Sequence, residues 1–185
     1  MQIDFLHPTN ISAVETINAE KKVEVDGVEV DLTLMPIEGL VLGLNYTYLD
    51  GDMPLQPHPL KNNELTAFEL TQTPQHAGSL TVDYTFEPWG FGVLEAYLDV
   101  TSTDQYAYAP LGSQRFDAYT LYNARITLAD IRVGRGGALK FSAWGKNLTD
   151  EEYVVLALPI NDPITTVIQA FGEPRTAGLD VSYKF

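Results

Sequence analysis

The strongest constraint on the fold is an alternation of apolar and polar residues that recurs along the chain with a period of two. Successive side chains of a β-strand point to opposite faces, so this period predicts strands. No position on the apolar faces of the alternating segments is charged, although charged residues make up 19 % of the chain. We trace seven such segments, which start near residues 28, 40, 80, 94, 120, 139 and 177.

The phase of the alternation reverses just before the first of these segments. Val23 and Val25 are apolar where the pattern would place polar residues. A β-bulge shifts the phase by inserting one residue, so we predict a bulge near Asp26-Gly27. Residues 1–6 are predicted to be the end of a further strand that enters a Pro/Asn turn.

The connections between the segments alternate in length. Tight turns are predicted near residues 35–39, 87–90 and 133–137, and long loops over residues 51–73, 103–116 and 149–173. In an antiparallel meander, every second connection lies at the same end of the sheet. We therefore expect the long loops at one end and the tight turns at the other.

The segments are about as long as the 9–11 residues with which a tilted strand crosses a bilayer. No apolar run approaches the roughly 20 residues of a spanning helix. The sequence thus predicts an all-β fold: an antiparallel up-and-down transmembrane β-barrel segment of about seven to eight strands, with short periplasmic turns and long extracellular loops. Aromatic pairs suited to an interfacial girdle stand at three segment ends, Tyr46/Tyr48, Tyr84/Phe86 and Tyr183/Phe185.

A soluble β-sandwich or a lipocalin-like barrel would show the same alternation with its apolar face turned inward. Strand length, clustered aromatics and loop asymmetry favour the arrangement with the apolar face toward lipid. The opposite face would then line a lumen with the charges Glu29, Asp31, Asp83, Glu95, Asp99, Arg125, Lys140 and Lys146.

Composition excludes several functions. The formal net charge of -14 argues against nucleic acid as a partner. The absence of cysteine removes thiolate metal sites and thiol nucleophiles. The three histidines, His7, His58 and His76, have no ligand spacing, so no metal site is predicted. No Ser/His/Asp arrangement or carboxylate pair stands out, so we expect neither an enzyme nor a cofactor.

Several segments resemble one known family. Residues 144–153, Trp-Gly-Lys-Asn-Leu-Thr-Asp-Glu-Glu-Tyr, resemble the penultimate-strand signature of TonB-dependent outer-membrane receptors. The Gly-Glu-Pro-Arg-Thr segment at 172–176 resembles the entry to the closing strand of those receptors. Residues 18–29, 45–50 and 74–76 are similar to further segments of the family and keep its order.

The resemblance implies a location in the bacterial outer membrane and contact with its lipid. It also implies uptake of siderophore-iron or a similar scarce nutrient with TonB-coupled energy. Family members have a plug domain and a barrel of about 22 strands. Residues 1–185 would then be the C-terminal portion of such a barrel, without the plug and the N-terminal strands, and TonB would act only through those missing parts. A chain that began at Met1 would on this expectation not transport.

Two alternatives to a receptor fragment remain open from the residues. One is a stand-alone small outer-membrane barrel of eight strands with a structural or adhesive role. The other is a soluble secreted β-sandwich or barrel that binds a small ligand or glycan.

The last strand alternates up to an aromatic final residue, and it resembles the signal that the barrel-assembly machinery reads. The residues that carry this resemblance are Gly178, Leu179, Val181, Tyr183 and Phe185. An extended edge can add to the sheet of a partner by strand pairing. The barrel-assembly machinery is therefore a predicted partner.

Ligand contacts, in this reading, would come from the long loops. Candidates are His58, which could touch a ligand, and the rings of Tyr106, Tyr108, Phe116 and Tyr153, which could stack on a siderophore or a sugar. His58 lies in a Pro-His-Pro segment that we expect to be exposed. The alternative for each aromatic ring is packing within the loops or a place in the outer girdle.

Overall fold

The computed structural model describes residues 2–6, 14–58, 62–111, 114–134, 136–160 and 166–185. Within them the chain forms fifteen β-strands and no helix. Among these residues there is accordingly no helix long and apolar enough to cross a membrane. In chain order the strands are β1 (Gln2–Leu6), β2 (Val14–Asn18), β3 (Glu24–Leu34), β4 (Leu40–Asp52), β5 (Gln56–His58), β6 (Glu64–Thr66), β7 (His76–Thr85), β8 (Val93–Thr103), β9 (Tyr106–Ala107), β10 (Arg115–Phe116), β11 (Tyr119–Val133), β12 (Gly137–Lys146), β13 (Val154–Ile160), β14 (Thr166–Phe171) and β15 (Thr176–Lys184).

Seven long strands form one antiparallel sheet in the order β15-β12-β11-β8-β7-β4-β3. They are the seven segments traced by the alternation, and each pairs with its neighbour in that series, so the predicted up-and-down meander is confirmed. The strands are between 9 and 15 residues long. Strands β3 and β15 are the two edges, and the sheet is not closed within the described residues.

The register aligns the apolar positions of all seven strands on one face. One row runs from Tyr84 through Ala96, Ile126 and Ala143 to Leu179. Ile126 is 59 % exposed and Leu179 is 82 % exposed, and no layer of the described chain covers this face. A soluble sandwich or a filled barrel would bury these side chains. Their exposure favours the arrangement in which this face meets lipid, and we call it the outer face.

The predicted bulge near Asp26-Gly27 is wrong. Pairing of β3 with β4 runs without a shift from the first residue of β3 to the last. Val25 therefore stays on the inner face, where it pairs with Gly51 and is 50 % exposed. The bulge in this sheet lies in β11 instead, between Leu128 and Ile131.

Each of the three long loops contains a hairpin that the sequence did not predict. The first long loop (53–75) holds β5 and β6, the second (104–118) holds β9 and β10, and the third (147–175) holds β13 and β14. All three leave the same end of the sheet, as expected. We call this the long-loop end.

The strand predicted at the start of the chain is present as β1, which pairs with β2 in a separate two-stranded sheet. The turn predicted after it lies outside the described residues, as does Arg135 of the turn predicted at 133–137.

Candidate functional site

An aromatic cluster lies at the long-loop end of the sheet. Phe116 is buried in the β9–β10 hairpin, directly opposite Tyr106 in the strand register. Its ring centroid is 5.0 Å from that of Tyr106 and 5.0 Å from that of Tyr108. Such tilted aromatic pairs each contribute roughly 0.5–1.5 kcal/mol beyond the area that they bury. Three of the predicted ligand-contact residues are thus brought together.

Tyr153 joins the cluster through a residue that the sequence analysis missed. Its ring packs in a tilted arrangement, at a centroid distance of 4.7 Å, against Tyr119, the first residue of β11. Tyr119 stands one position before the segment traced by alternation, and nothing in the local sequence distinguishes it from an ordinary strand start. Its role becomes visible only when the second and third long loops meet.

The cluster forms one wall of a cavity of about 340 Å³. Strand β13 supplies the other wall, and two polar side chains, Gln72 and Thr103, reach the cavity from the first loop and from β8. Tyr153 does not line the cavity itself but contacts Tyr119, which does. We call this cavity the aromatic pocket; its lining includes Tyr106, Tyr108, Phe116, Tyr119, Val155 and Leu156.

The first and second long loops are fastened to each other. The amide of Glu69 donates to the carbonyl of Pro110, and the amide of Gln72 donates to that of Ala107, both at 2.9 Å. Arg115 forms an ion pair with Glu69 at 2.8 Å. Because Gln72 lines the aromatic pocket, these contacts join the first and second long loops beside it.

The third long loop is held at its base by Asn147. This side chain is only 3 % exposed; its amide nitrogen donates to the carbonyls of Glu151 (2.8 Å) and Glu173 (3.1 Å). Its oxygen accepts from the backbone amide of Glu151 at 2.8 Å. Asn147 therefore joins both ends of the loop that carries β13 and β14.

His58 lies apart from the aromatic pocket. It is 6 % exposed and packs against Phe68 with the ring centroids 6.0 Å apart, so the expectation of an exposed loop residue is wrong. The hairpin formed by β5 and β6 buries this side chain, whereas the flanking prolines had suggested an exposed loop. Contact of His58 with a ligand stays a prediction.

The two other histidines lie elsewhere. His76 begins β7, and His7 lies outside the described residues. Over the part of the chain that the structure describes, no group of three or more histidine, aspartate or glutamate side chains could hold a metal ion.

The charges predicted to share one face do so, opposite the outer face. Two ion pairs span intervening strands, Arg125–Asp180 at 2.9 Å and Lys140–Glu95 at 3.3 Å. These groups are about half exposed, so each pair contributes no more than about 1 kcal/mol. They make the inner face hydrophilic.

Among the described residues, the last strand pairs on one side only, with β12. Leu179, Val181 and Tyr183 point to the outer face and are exposed, and so is the terminal Phe185. Gly178 lies on the inner face, where a Cβ would come within 2.5 Å of the Trp144 ring. The residues of the predicted assembly signal thus present an edge that is free within the described chain, and their recognition by assembly machinery stays a prediction.

A pleated open sheet with an uncovered apolar face, a charged inner face and long loops at one end is similar to part of the wall of a receptor barrel. The chain belongs to the TonB-dependent receptor family: the family model described as "TonB dependent receptor-like, beta-barrel" matches residues 3–148. This confirms the resemblance read from the sequence. The family is one of receptors rather than enzymes.

A solved structure with the same fold is the ferric preacinetobactin receptor BauA of Acinetobacter baumannii, with a TM-score of 0.66 and 19 % identity. The match covers 100 % of this chain and 26 % of that receptor, so the chain spans about a quarter of it. A search of curated proteins found no significant match.

Proposed function

We propose that this chain forms the C-terminal part of the barrel wall of a receptor in the bacterial outer membrane, and that the receptor takes up siderophore-iron or a similar scarce nutrient with energy coupled through TonB. Residues 1–185 act as one unit of the wall. The plug domain and the strands that precede this unit in such receptors lie outside it, and TonB engages the receptor through those parts.

The observation that carries the proposal is the aromatic pocket at the long-loop end of the wall. Ligand sites are concave and mostly apolar, with a few polar groups that fix orientation. The aromatic pocket has this character, since rings and the apolar side chains of β13 surround two polar side chains, Gln72 and Thr103. Its position on three loops at one end suits a ligand that arrives from outside the cell.

The size of the aromatic pocket suggests which part of a ligand it holds. At about 340 Å³ it is at the lower end of the range for small-molecule sites. It would therefore take one ring-bearing arm of a siderophore, stacked between tyrosines, while the remainder contacts surfaces outside this chain. Iron would travel as cargo within the siderophore.

The inner and outer faces support the proposed location. A strand wall in lipid needs an apolar outer face, and every backbone group must be paired because lipid offers no hydrogen bonds. The free edges β3 and β15 would pair with further strands of a larger barrel, and β15 would also present the edge read during assembly. A stand-alone barrel would instead require β3 and β15 to pair with each other.

The test is uptake of radioactive iron by cells that carry the intact gene, compared with cells that lack it. The probes are a ferric catecholate and a ferric hydroxamate siderophore. We expect uptake of at least one probe to depend on the gene and to fall about tenfold in Tyr108→Ala, since one ring contact contributes about 1.4 kcal/mol.

The matched control is Tyr97→Ala, which removes a tyrosine from the inner face of β8 outside the aromatic pocket. Uptake of both probes that is independent of the gene would contradict the siderophore proposal. Equal uptake by the Tyr108 and Tyr97 variants would contradict the assignment of the aromatic pocket.

A further inference from the structure

Every described residue that lines the aromatic pocket is formally uncharged at neutral pH. The polar groups of the lining are the amide of Gln72, the hydroxyl of Thr103 and the phenol hydroxyls of the tyrosines. Each of these groups both donates and accepts hydrogen bonds, so together they suit a neutral polar ligand. Among the described lining residues there is no lysine, arginine or histidine that could neutralise an anion.

Arg115, the cationic residue next to Phe116 in β10, lies outside the aromatic pocket. Successive side chains of a strand point to opposite sides, so Arg115 faces away from the ring of Phe116. It lines a separate cavity of about 420 Å³, where it forms the ion pair with Glu69. Asp50 and Asp52 line the same cavity. The charge of Arg115 is therefore compensated by carboxylates on the far side of the hairpin.

The cationic side chains of the third long loop are compensated in the same way. Arg175 forms an ion pair with Asp150 at 3.6 Å, and its backbone amide donates to the same carboxylate at 3.0 Å. At the base of the loop, the ammonium of Lys146 is 3.9 Å from the carboxylate of Glu173. The three long loops together contain nine carboxylate side chains and three cationic ones. The surroundings of the aromatic pocket are therefore negative.

This distribution of charge disfavours an anion in the aromatic pocket for two reasons. An anion would lose part of its hydration there without gaining a cationic partner. It would also be repelled by the surplus of carboxylates on the loops, and this repulsion is strengthened where water is partly excluded. A neutral ring meets neither penalty and keeps its contacts with the tyrosine rings. An unpaired charge is a general means by which a site rejects a wrong ligand.

We propose that the aromatic pocket selects its ligand by charge: it holds an uncharged ring-bearing arm and excludes an anionic one. The anionic groups that chelate ferric iron then lie outside the aromatic pocket. This inference rests on the proposed uptake function and narrows the class of ligand. The siderophore carries a neutral aromatic arm in addition to its chelating groups.

The test compares two ferric probes that differ only in the charge of one arm. Both are derivatives of ferrioxamine B, with the terminal amine acylated by a para-carbamoylbenzoyl group or by a para-carboxybenzoyl group. The two arms have the same ring and nearly the same shape. Binding to the intact receptor in detergent is measured by isothermal titration calorimetry. We expect the carbamoyl probe to bind at least about tenfold more tightly, because the carboxylate would be partly desolvated without a partner.

Gln72→Lys should reverse this preference, because it places a cation in the aromatic pocket. Gln72 is exposed, and its hydrogen bond to Ala107 uses the backbone amide, so the substitution keeps the contact between the loops. The carboxyl probe should then bind at least about tenfold more tightly than it binds the unmodified receptor. The matched control is Gln105→Lys, which adds the same charge at an exposed position of the second loop outside the lining. This control should leave the ratio of the two affinities unchanged.

Several outcomes would overturn charge selection. They are equal affinity of the two probes for the unmodified receptor, tighter binding of the carboxyl probe, binding of neither probe, or the same shift in Gln105→Lys as in Gln72→Lys. Uptake of radioactive iron is scored separately. Uptake that is independent of the gene would refute the proposed function and this inference together. Uptake that depends on the gene, with any of the outcomes named above, would refute charge selection alone.

Discussion

Replacing Asn147 by alanine should loosen the third long loop without unfolding the sheet. The change removes three hydrogen bonds, from the Glu151 amide and to the carbonyls of Glu151 and Glu173. Each bond contributes about 1 kcal/mol, so local opening of the loop should become easier by about 3 kcal/mol. A tenfold change corresponds to 1.4 kcal/mol, which predicts exchange of the Glu151 amide proton about 100-fold faster.

The measurement is hydrogen–deuterium exchange, read by mass spectrometry on the receptor in detergent. Asn147 has a φ of 49°, so alanine there also adds backbone strain. Asn147→Gly lacks this strain and should show the hydrogen-bond effect by itself. Asn45→Ala, an exposed asparagine on the inner face, is the control for loss of an amide side chain.

Exchange at Glu151 that rises no more in Asn147→Ala than in Asn45→Ala would refute the reasoning. A rise in the alanine variant with none in the glycine variant would refute it differently, because backbone strain rather than hydrogen bonding would then be the cause.

Three further perturbations test the two faces of the sheet. Ile126→Lys on the outer face should lower the free energy of unfolding in lipid vesicles by about 2–4 kcal/mol. Asn45→Lys on the inner face should change it by less than about 1 kcal/mol. Equal effects of the two substitutions in denaturant titrations would contradict the assignment of faces. The hydroxyls of Thr127 and Ser142, 3 % and 5 % exposed, are hydrogen-bonded at 2.9 Å. Thr127→Val should therefore lower the free energy of unfolding by about 1–3 kcal/mol, because it leaves the Ser142 hydroxyl buried without a partner. Adding Ser142→Ala should recover part of this loss, which a double-mutant cycle would measure. Arg125→Ala should lower the free energy of unfolding by no more than about 1 kcal/mol, and by less at high salt, because its ion pair with Asp180 is about half exposed. A larger loss in thermal melts would mean that this ion pair is screened less than its exposure indicates.

The strands and their faces could be predicted from the sequence because both follow from local rules. The period of two is a property of extended backbone, and the register aligned Ile126 with Ala96 and Ala143 as the apolar phase required. The family could be identified as well, because its signatures are contiguous segments such as residues 144–153.

The hairpins within the loops could not be predicted in the same way. Strands of two or three residues, such as β9 and β5, are too short to display a period. The misplaced bulge has a different cause. Val25 lies on the inner face and is half exposed, so an apolar residue does not mark the outer face at this position.

The candidate site depended most on tertiary structure. The sequence supplied Tyr106, Tyr108 and Phe116 as loop aromatics, but it could not show that they converge, that Tyr119 joins them, or that His58 turns inward. Local sequence fixes which way a strand side chain points, because the pleat leaves only two directions. Which loop residues meet is decided by contacts between segments far apart in the chain, such as the hydrogen bond between Glu69 and Pro110 and the tilted ring contact of Tyr119 with Tyr153. These contacts form only when the sheet brings the loops to one end.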